Sequence, residues 1–354
     1  MNFKQWIFIP IIFLVVGCQK NDRISTRHLG MILGGDADGF SVADESRNFI
    51  FPRDHGSHPN YRSEWWYLTI PLKAKGDQLY GVQFTLFRQA VASDSVSDGG
   101  WGTGQVFMGH LAVTDVSDDR HYSEERMVRG HKRLAGVTAF PFSAYIEDWR
   151  LVSKADPFSP LTLTGSTQDF SVDLVMEQKK PIILQGDEGL SSKGFGHYSY
   201  YYSLPRLAAQ GFLTIRGKRI AVEGDGWLDR EWSTSVLDER YLGWDWFAIH
   251  LDDGRELMAF QMRNPDDSAD QTYAAVVSKN GSTKKYFNNG VRFEVLRESE
   301  GWPVEWRIEI ADEWFRVKAA VDDQIMDLSI RYWEGLIRVE GSSSGIGYME
   351  LTGY

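Results

Sequence analysis

The chain of 354 residues contains a single cysteine, Cys18, and therefore has neither a disulfide framework nor the paired thiols of a zinc or redox site. No stretch sustains apolar residues at helical spacing, which excludes a helical bundle. Phosphate-cradling glycine loops and dinucleotide fingerprints are missing, so no cofactor is expected. Lys and Arg number 38 against 49 Asp and Glu, for a net charge of -11 without a basic patch, and nucleic acid is excluded as a partner. The one long apolar run near the N-terminus, Ile7 to Val16, is too short to cross a bilayer, which takes about 20 residues.

Aromatic residues are abundant instead. The chain carries 13 Trp, 15 Tyr and 20 Phe, more than cores alone tend to use, which points to large apolar cavities or to carbohydrate-like or polyene-like ligands. The length suits about two domains. At the N-terminus, Lys4 precedes the apolar run, and Val15-Val16-Gly17-Cys18 resembles the cleavage box of bacterial lipoproteins. Residues 1–17 then read as a signal peptide and residues 18–45 as a lipidated tether. Acylation of Cys18, with the three chains that this resemblance implies, would hold the protein to a membrane. Gln19 rather than Asp after the cysteine suggests the periplasmic face of the outer membrane.

Beyond the tether, short alternating segments are separated by Gly, Asp, Asn and Lys turns. Strands are predicted at Trp65–Leu72, Leu79–Arg88, Val106–Val116, Phe142–Leu151, Leu161–Thr167, Ser171–Glu177, Tyr198–Leu204, Gly211–Arg216 and Arg219–Gly224. A brief helical turn is expected at Ser203–Ala209 after Pro205. The Ser-, Asp- and Gly-rich loop Ala92–Gly104 is read as a surface loop or a cover for a pocket mouth. An internal repeat organises these segments. Trp65-Trp-Tyr-Leu-Thr-Ile-Pro-Leu72 leads into Leu79-Tyr-Gly-Val-Gln83 as Trp244-Asp-Trp-Phe-Ala-Ile-His-Leu251 leads into Leu257-Met-Ala-Phe-Gln261. Gly226-Trp-Leu-Asp229 is echoed by Gly347-Tyr-Met-Glu350. The fold class is therefore all-β: two consecutive antiparallel barrels, residues 46–232 and 233–354, each closing to remove exposed strand edges.

Chemistry is densest in Phe51–Tyr67, where Arg53, His55, His58, Arg62 and Glu64 precede Trp65, Trp66 and Tyr67. These residues are candidates to line a pocket, with His55 and His58 as hydrogen-bonding and proton-relay groups at its rim. Gly56 and Pro59 mark a loop rather than two ligands one helical turn apart, and no metal is assigned. Tyr198, Tyr200 and Tyr202 alternate on one strand face and either line the cavity or pack the barrel. Along Gly226–Trp232, alternation puts Trp227, Asp229 and Glu231 on one face and Leu228, Arg230 and Trp232 on the other. An acid beside an indole is what alkene hydration needs: a proton donor, a π face for the cation and a base for water. A structural alternative pairs Asp229 and Glu231 with Arg62 or Arg53 as a brace between barrels. Only the first copy of the acidic strand adjoins the opening block, so its cluster is expected to be the working one. Gly341-Ser-Ser-Ser-Gly345 matches a nucleophile elbow only formally, since a strand rather than a helix follows.

The blocks RDHGSHPNYRSEWWYLT, GHLAVTD (Gly109–Asp115), GDGWLDREW (Gly224–Trp232) and the terminal Tyr332–Tyr354 resemble the signature of the AttH and carotenoid 1,2-hydratase (CrtC-like, hydroxyneurosporene synthase) family. The resemblance covers nearly all of the chain after the tether. It implies two lipocalin-like barrels with a pocket at or between them; Trp244 and Trp246 are candidates to line it with the residues above. It also places Asp229 at the position of the hydratase acid, with Leu228 and Arg230 where that family has histidines. Two functions follow from it: a protein that binds an apolar isoprenoid, polyene or lipid molecule and acts on it as a hydro-lyase, isomerase or cyclase, or a carrier of lipid beside an ABC transporter.

Overall fold

The computed structural model describes residues 38–354 apart from 92, 94–103, 235–237, 239 and 267–268. Cys18 and most of the loop Ala92–Gly104 lie outside the described residues. The first unit contains β1 (Ser63–Ala74), β2 (Leu79–Ala90), β3 (Gln105–Asp115), β4 (Arg120–Arg129), β5 (Ala135–Ala139), β6 (Phe142–Ile146), β7 (Trp149–Ser153), β8 (Leu161–Ser166), β9 (Phe170–Gln178), β10 (Ile183–Leu184), β11 (Leu190–Ser192), β12 (Tyr198–Ile215) and β13 (Lys218–Ser233). The second contains β14 (Gly243–Leu251), β15 (Glu256–Arg263), β16 (Ala269–Val277), β17 (Thr283–Phe287), β18 (Val291–Ser299), β19 (Trp302–Ile310), β20 (Glu313–Ala319), β21 (Ile325–Asp327), β22 (Arg331–Gly341) and β23 (Gly345–Leu351). Helical structure among the described residues is confined to two short 3₁₀ turns, Arg53–His55 and Asn288–Gly290.

Each unit is one curled antiparallel sheet. The first runs β4-β3-β2-β1-β13-β12-β9-β8-β7-β6-β5 and the second β17-β16-β15-β14-β23-β22-β20-β19-β18. In both, the first strand pairs with the last, so β1–β2 and β14–β15 are equivalent hairpins beside β13 and β23. The β1–β2 turn needs positive φ at Gly76 and Asp77, residue types that reach it at low cost. Inside the first barrel, Trp66, Leu68 and Phe84, with Trp232 of the neighbouring β13, share a core with Trp149 of β7 and Leu163 of β8. The second core gathers Phe247, Trp302, Trp306 and Trp333.

Several predicted elements differ. Ser203–Ala209 is not helical; it belongs to the 18-residue β12, whose register shifts between Leu204 and Leu207, where Pro205 offers no N–H to the ladder. That bulge also joins the two strands predicted separately on either side. Phe142–Leu151 is a hairpin rather than one strand, turning at Glu147 with φ 54°. β4 carries too many charges, RHYSEERMVR, to show an apolar pattern.

The opening block plugs the first barrel. Glu64 is fully buried between Arg88 and Arg230, with Arg230 Nη2 at 3.0 Å, and accepts the His58 backbone N–H at 2.9 Å. Arg230 also donates to the carbonyls of Gly56 at 2.6 Å and Trp65 at 2.9 Å, and lies 3.9 Å over the Trp66 ring. Burial alone would raise the pKa of Glu64, but Arg88, His58 and Arg230 hold it well below the usual carboxylate range. Removing one member strands buried charge. Glu64→Ala is expected to lower stability by about 3–5 kcal/mol in urea denaturation, with an unchanged slope.

Candidate active site

β13 separates two environments. Trp66, Arg230 and Trp232 face the plugged interior of the first barrel, whereas Trp65, Tyr67, Asp229 and Glu231 face the second barrel. There the two units enclose a cavity of about 90 Å³. Trp65, Tyr67, Phe87 and Tyr201 wall it from the first barrel, and Trp244, Trp246, Phe260 and Tyr332 from the second. The rings interlock: Tyr67 and Trp246, equivalent positions of the repeat, meet edge to face at 5.0 Å. Each also reaches across. The Tyr67 hydroxyl donates to Glu334 Oε1 at 2.7 Å, and Trp246 Nε1 donates to the Tyr201 hydroxyl at 3.1 Å.

Asp229 is buried in this seam, and among the described residues it has no basic partner. Trp227 Nε1 donates to Oδ1 at 2.7 Å, Ser203 Oγ to the same oxygen at 2.5 Å, and Tyr201 OH to Oδ2 at 2.6 Å. Burial pushes its pKa up to about 7, against the opposing pull of Ser203, Tyr201 and Trp227. The repeat supplies a counterpart. Glu350 accepts from Trp244 Nε1 at 2.6 Å, and burial raises it to about 7 as well. Its cross-strand neighbour Glu334 is pushed up by burial and by the Glu350 charge, so two adjacent carboxyls cannot both ionise near neutrality. Glu231 differs: Lys193 Nζ stands 2.7 Å away and Ser199 donates to it.

The sequence-derived candidates thus divide between two places. Trp65, Tyr67, Asp229, Glu231, Trp244 and Trp246 line the cavity, and Trp227 stands behind Asp229. Arg53, His55, His58, Glu64, Trp66 and Tyr200 do not. Arg53 is largely exposed and contacts Asp54 at 3.3 Å. His55 stacks on Phe158 at 3.6 Å and hydrogen-bonds Tyr202 at 2.7 Å; burial, reinforced by Arg230, lowers its pKa to about 3. His58 stacks on Trp232 at 3.8 Å between Asp54 and Glu64. Tyr200 donates to the Glu45 carbonyl at 2.9 Å, inside the barrel with Tyr202. Arg62 lines a separate groove, together with Trp65, Phe87 and Arg88.

Three expectations are corrected by this placement. The histidines of the opening block are not at the rim of the acidic cavity, because Glu64 pairs with Trp232 and Trp66 with Arg230 across β1 and β13, on the interior side. Neither Arg53 nor Arg62 braces Asp229 or Glu231, whose partners are neutral donors and Lys193. The two acidic copies are also not apart, since Glu350 lines the same cavity as Asp229. Tyr201, Ser203, His110, Tyr332 and Glu334 were not singled out for the site; of the second wall, only Trp244, Trp246 and the Gly347–Glu350 echo were noted in the sequence.

Fold and site define a double β-barrel protein with a carboxyl-lined apolar cavity between its halves. A family profile described as AttH-like matches residues 42–354, and the chain belongs to that family. Among solved structures, a putative AttH from Nitrosomonas europaea is 31% identical, covers 89% of this chain and 100% of its own, and superposes with a TM-score of 0.79. Kievitone hydratase from Nectria haematococca shares the fold at 14% identity, covering 91% and 98% of the two chains, with a TM-score of 0.67. CghA, in a structure with Sch210972, does so at 13% identity over 90% and 97%, with a TM-score of 0.57. No curated protein sequence matched the chain.

Titration of Asp229 carries a testable sign. A carboxyl whose pKa rises from 3.8 unfolded to about 7 folded contributes stability that is full below pH 3.8 and lost as pH rises to 7. Asp229→Asn mimics the protonated acid, because its amide N–H can donate to Tyr201 as an acid O–H would. The variant is expected to be more stable than the parent at pH 8, by roughly 2–4 kcal/mol, and close to it at pH 4. Denaturant titrations at the two pH values measure this.

Proposed function

We propose that this protein is an acid–base enzyme acting on an apolar alkene-bearing substrate, in the hydro-lyase class and related to hydratases, isomerases and cyclases. The observation that carries the reading is Asp229: a buried carboxyl near neutral pKa, held by neutral donors in an aromatic cavity, with Glu350 poised in the same range on the other barrel. The shared fold with kievitone hydratase supports the reaction class.

In this reading, protonated Asp229 gives its proton to one alkene carbon, forming a C–H bond as the π bond breaks. The cation left on the neighbouring carbon faces the Trp65, Trp244 and Trp246 rings, whose π density stabilises it. A water oxygen bonds to that carbon, and its surplus proton passes to the Glu350 carboxylate. Dehydration is the reverse. A donor on one barrel and an acceptor on the other give the reaction its direction across the cavity.

Cavity size bears on the alternative, a lipid carrier working beside an ABC transporter. About 90 Å³ is smaller than the ~150 Å³ apolar cavity that takes one benzene, so it suits the reacting end of a molecule better than a whole lipid. Catalysis is therefore the favoured function. Cys18 acylation would keep the enzyme beside its membrane-dissolved substrate, on the periplasmic face of the outer membrane.

Two measurements address this. The purified protein incubated with squalene in ¹⁸O-labelled water, and native mass spectrometry of lipid that copurifies with it, would identify the substrate. On that substrate, Asp229→Asn should bind normally while turnover falls by roughly two to four decades. Parent activity should decline as pH rises through about 7, where Asp229 loses its proton. Unchanged turnover in the variant would overturn the assignment. Separately, Cys18→Ala should move the protein from the detergent phase to the aqueous phase with its fold intact; retention in detergent would contradict the anchor.

A further inference from the structure

Each hydration leaves the cavity with its protons misplaced: Asp229 bare and Glu350 protonated. One proton must leave and one must return before the next cycle, through walls made of aromatic rings. A chain of polar side chains crosses that wall. His110 on β3 is fully buried and lines the cavity with Tyr332 of β22. Its Nδ1 stands 2.7 Å from the Tyr332 hydroxyl, and its Nε2 stands 3.0 Å from Glu125 Oε2 on β4. Glu125 reaches solvent, with its side chain 19% exposed, and accepts from the Ser329 hydroxyl at 2.5 Å.

The ring is fixed in place. Phe87 meets it edge-on at 5.4 Å and Tyr332 stacks at 5.6 Å. A carboxylate only accepts, so Nε2–H donates to Glu125, and Nδ1 is left with a lone pair that accepts from Tyr332. Burial keeps the imidazole neutral against the pull of Glu125, and the hydrogen bond from His110 in turn holds Glu125 ionised. A histidine buried for packing alone needs no such continuous path, and this one is assembled from both barrels.

We infer that Tyr332, His110 and Glu125 form a proton wire between the cavity and solvent, an inference that rests on the acid–base reading of the cavity. Outward, the Tyr332 oxygen takes a proton from the cavity side as its own hydroxyl proton passes to His110 Nδ1. The Nε2 proton then moves to Glu125, which releases it to water. Inward transfer runs the same bonds in reverse, delivers a proton to Asp229 and restores the starting tautomer. One outward and one inward passage balance each turnover without any other reactant.

The test needs no substrate. After a photoacid pH jump on the full chain, time-resolved infrared follows the protonated-carboxyl band assigned to Asp229 by its loss in Asp229→Asn. Tyr332→Phe, which keeps the ring, and Glu125→Gln, which keeps an acceptor but cannot carry the proton, should slow protonation on the order of tenfold or more with the final amplitude unchanged. His110→Phe should do the same, and the two milder variants decide the matter if it fails to fold. Unchanged rates in Tyr332→Phe and Glu125→Gln would overturn the wire. If Asp229 gives no band near neutral pH, the acid reading falls instead, and the wire is read from the Glu334–Glu350 band assigned by Glu350→Gln.

Discussion

The seam between the barrels buries carboxyl groups without giving most of them a cation, and the rest of the molecule is arranged around that constraint. The same strand shows both solutions to a buried acid. On the interior side of β13, Arg230 joins Arg88 in holding Glu64 ionised. One residue away, on the seam side, Asp229 has an indole and two hydroxyls instead, and burial outweighs them. Cationic partners would fix charge and stability; neutral donors leave a proton that can be given away.

Two barrels are needed to make such a place. A single barrel of this kind fills its interior with side chains, as Trp66, Trp149 and Trp232 do in the first. Placing Asp229 and Glu350 outside both interiors, against a second copy of the same hairpin, buries them while keeping a gap between two sheets. Tyr67 and Trp246 hold the halves in register by bonding across the seam. Gly81 allows the approach, since a Cβ there would stand 2.2 Å from the Tyr348 hydroxyl. The duplication thus supplied a second acid as well as a second wall.

Much of this was legible beforehand. The WWYLTI and WDWFAIHL echo identified the equivalent hairpins, and alternation along Gly226–Trp232 put Asp229 and Trp227 on the same face. Facing was harder. Aromatic residues occupy both faces of β1 and β13, so hydrophobicity could not say which side of Trp65-Trp66-Tyr67 looks inward. The opening block was assigned to the acidic face for that reason, although the pairing of Glu64 with Trp232 commits it to the other. Tyr200 was chosen over Tyr201 through the same one-residue ambiguity. His110 lies far from Tyr332 in the chain and meets it only through the docking of the barrels, for which a single sequence carries no local signal.

Protonation of Asp229 near neutrality is the claim on which the functional account stands. Carbon-13 NMR of aspartate-labelled protein, with Asp229 assigned by comparison with Asp229→Asn, reads it directly. A carboxyl resonance titrating with a midpoint near 7 is the predicted result. A midpoint near the ordinary aspartate value of about 3.9 would contradict the account, leaving the cavity lined by fixed charge with no acid to donate.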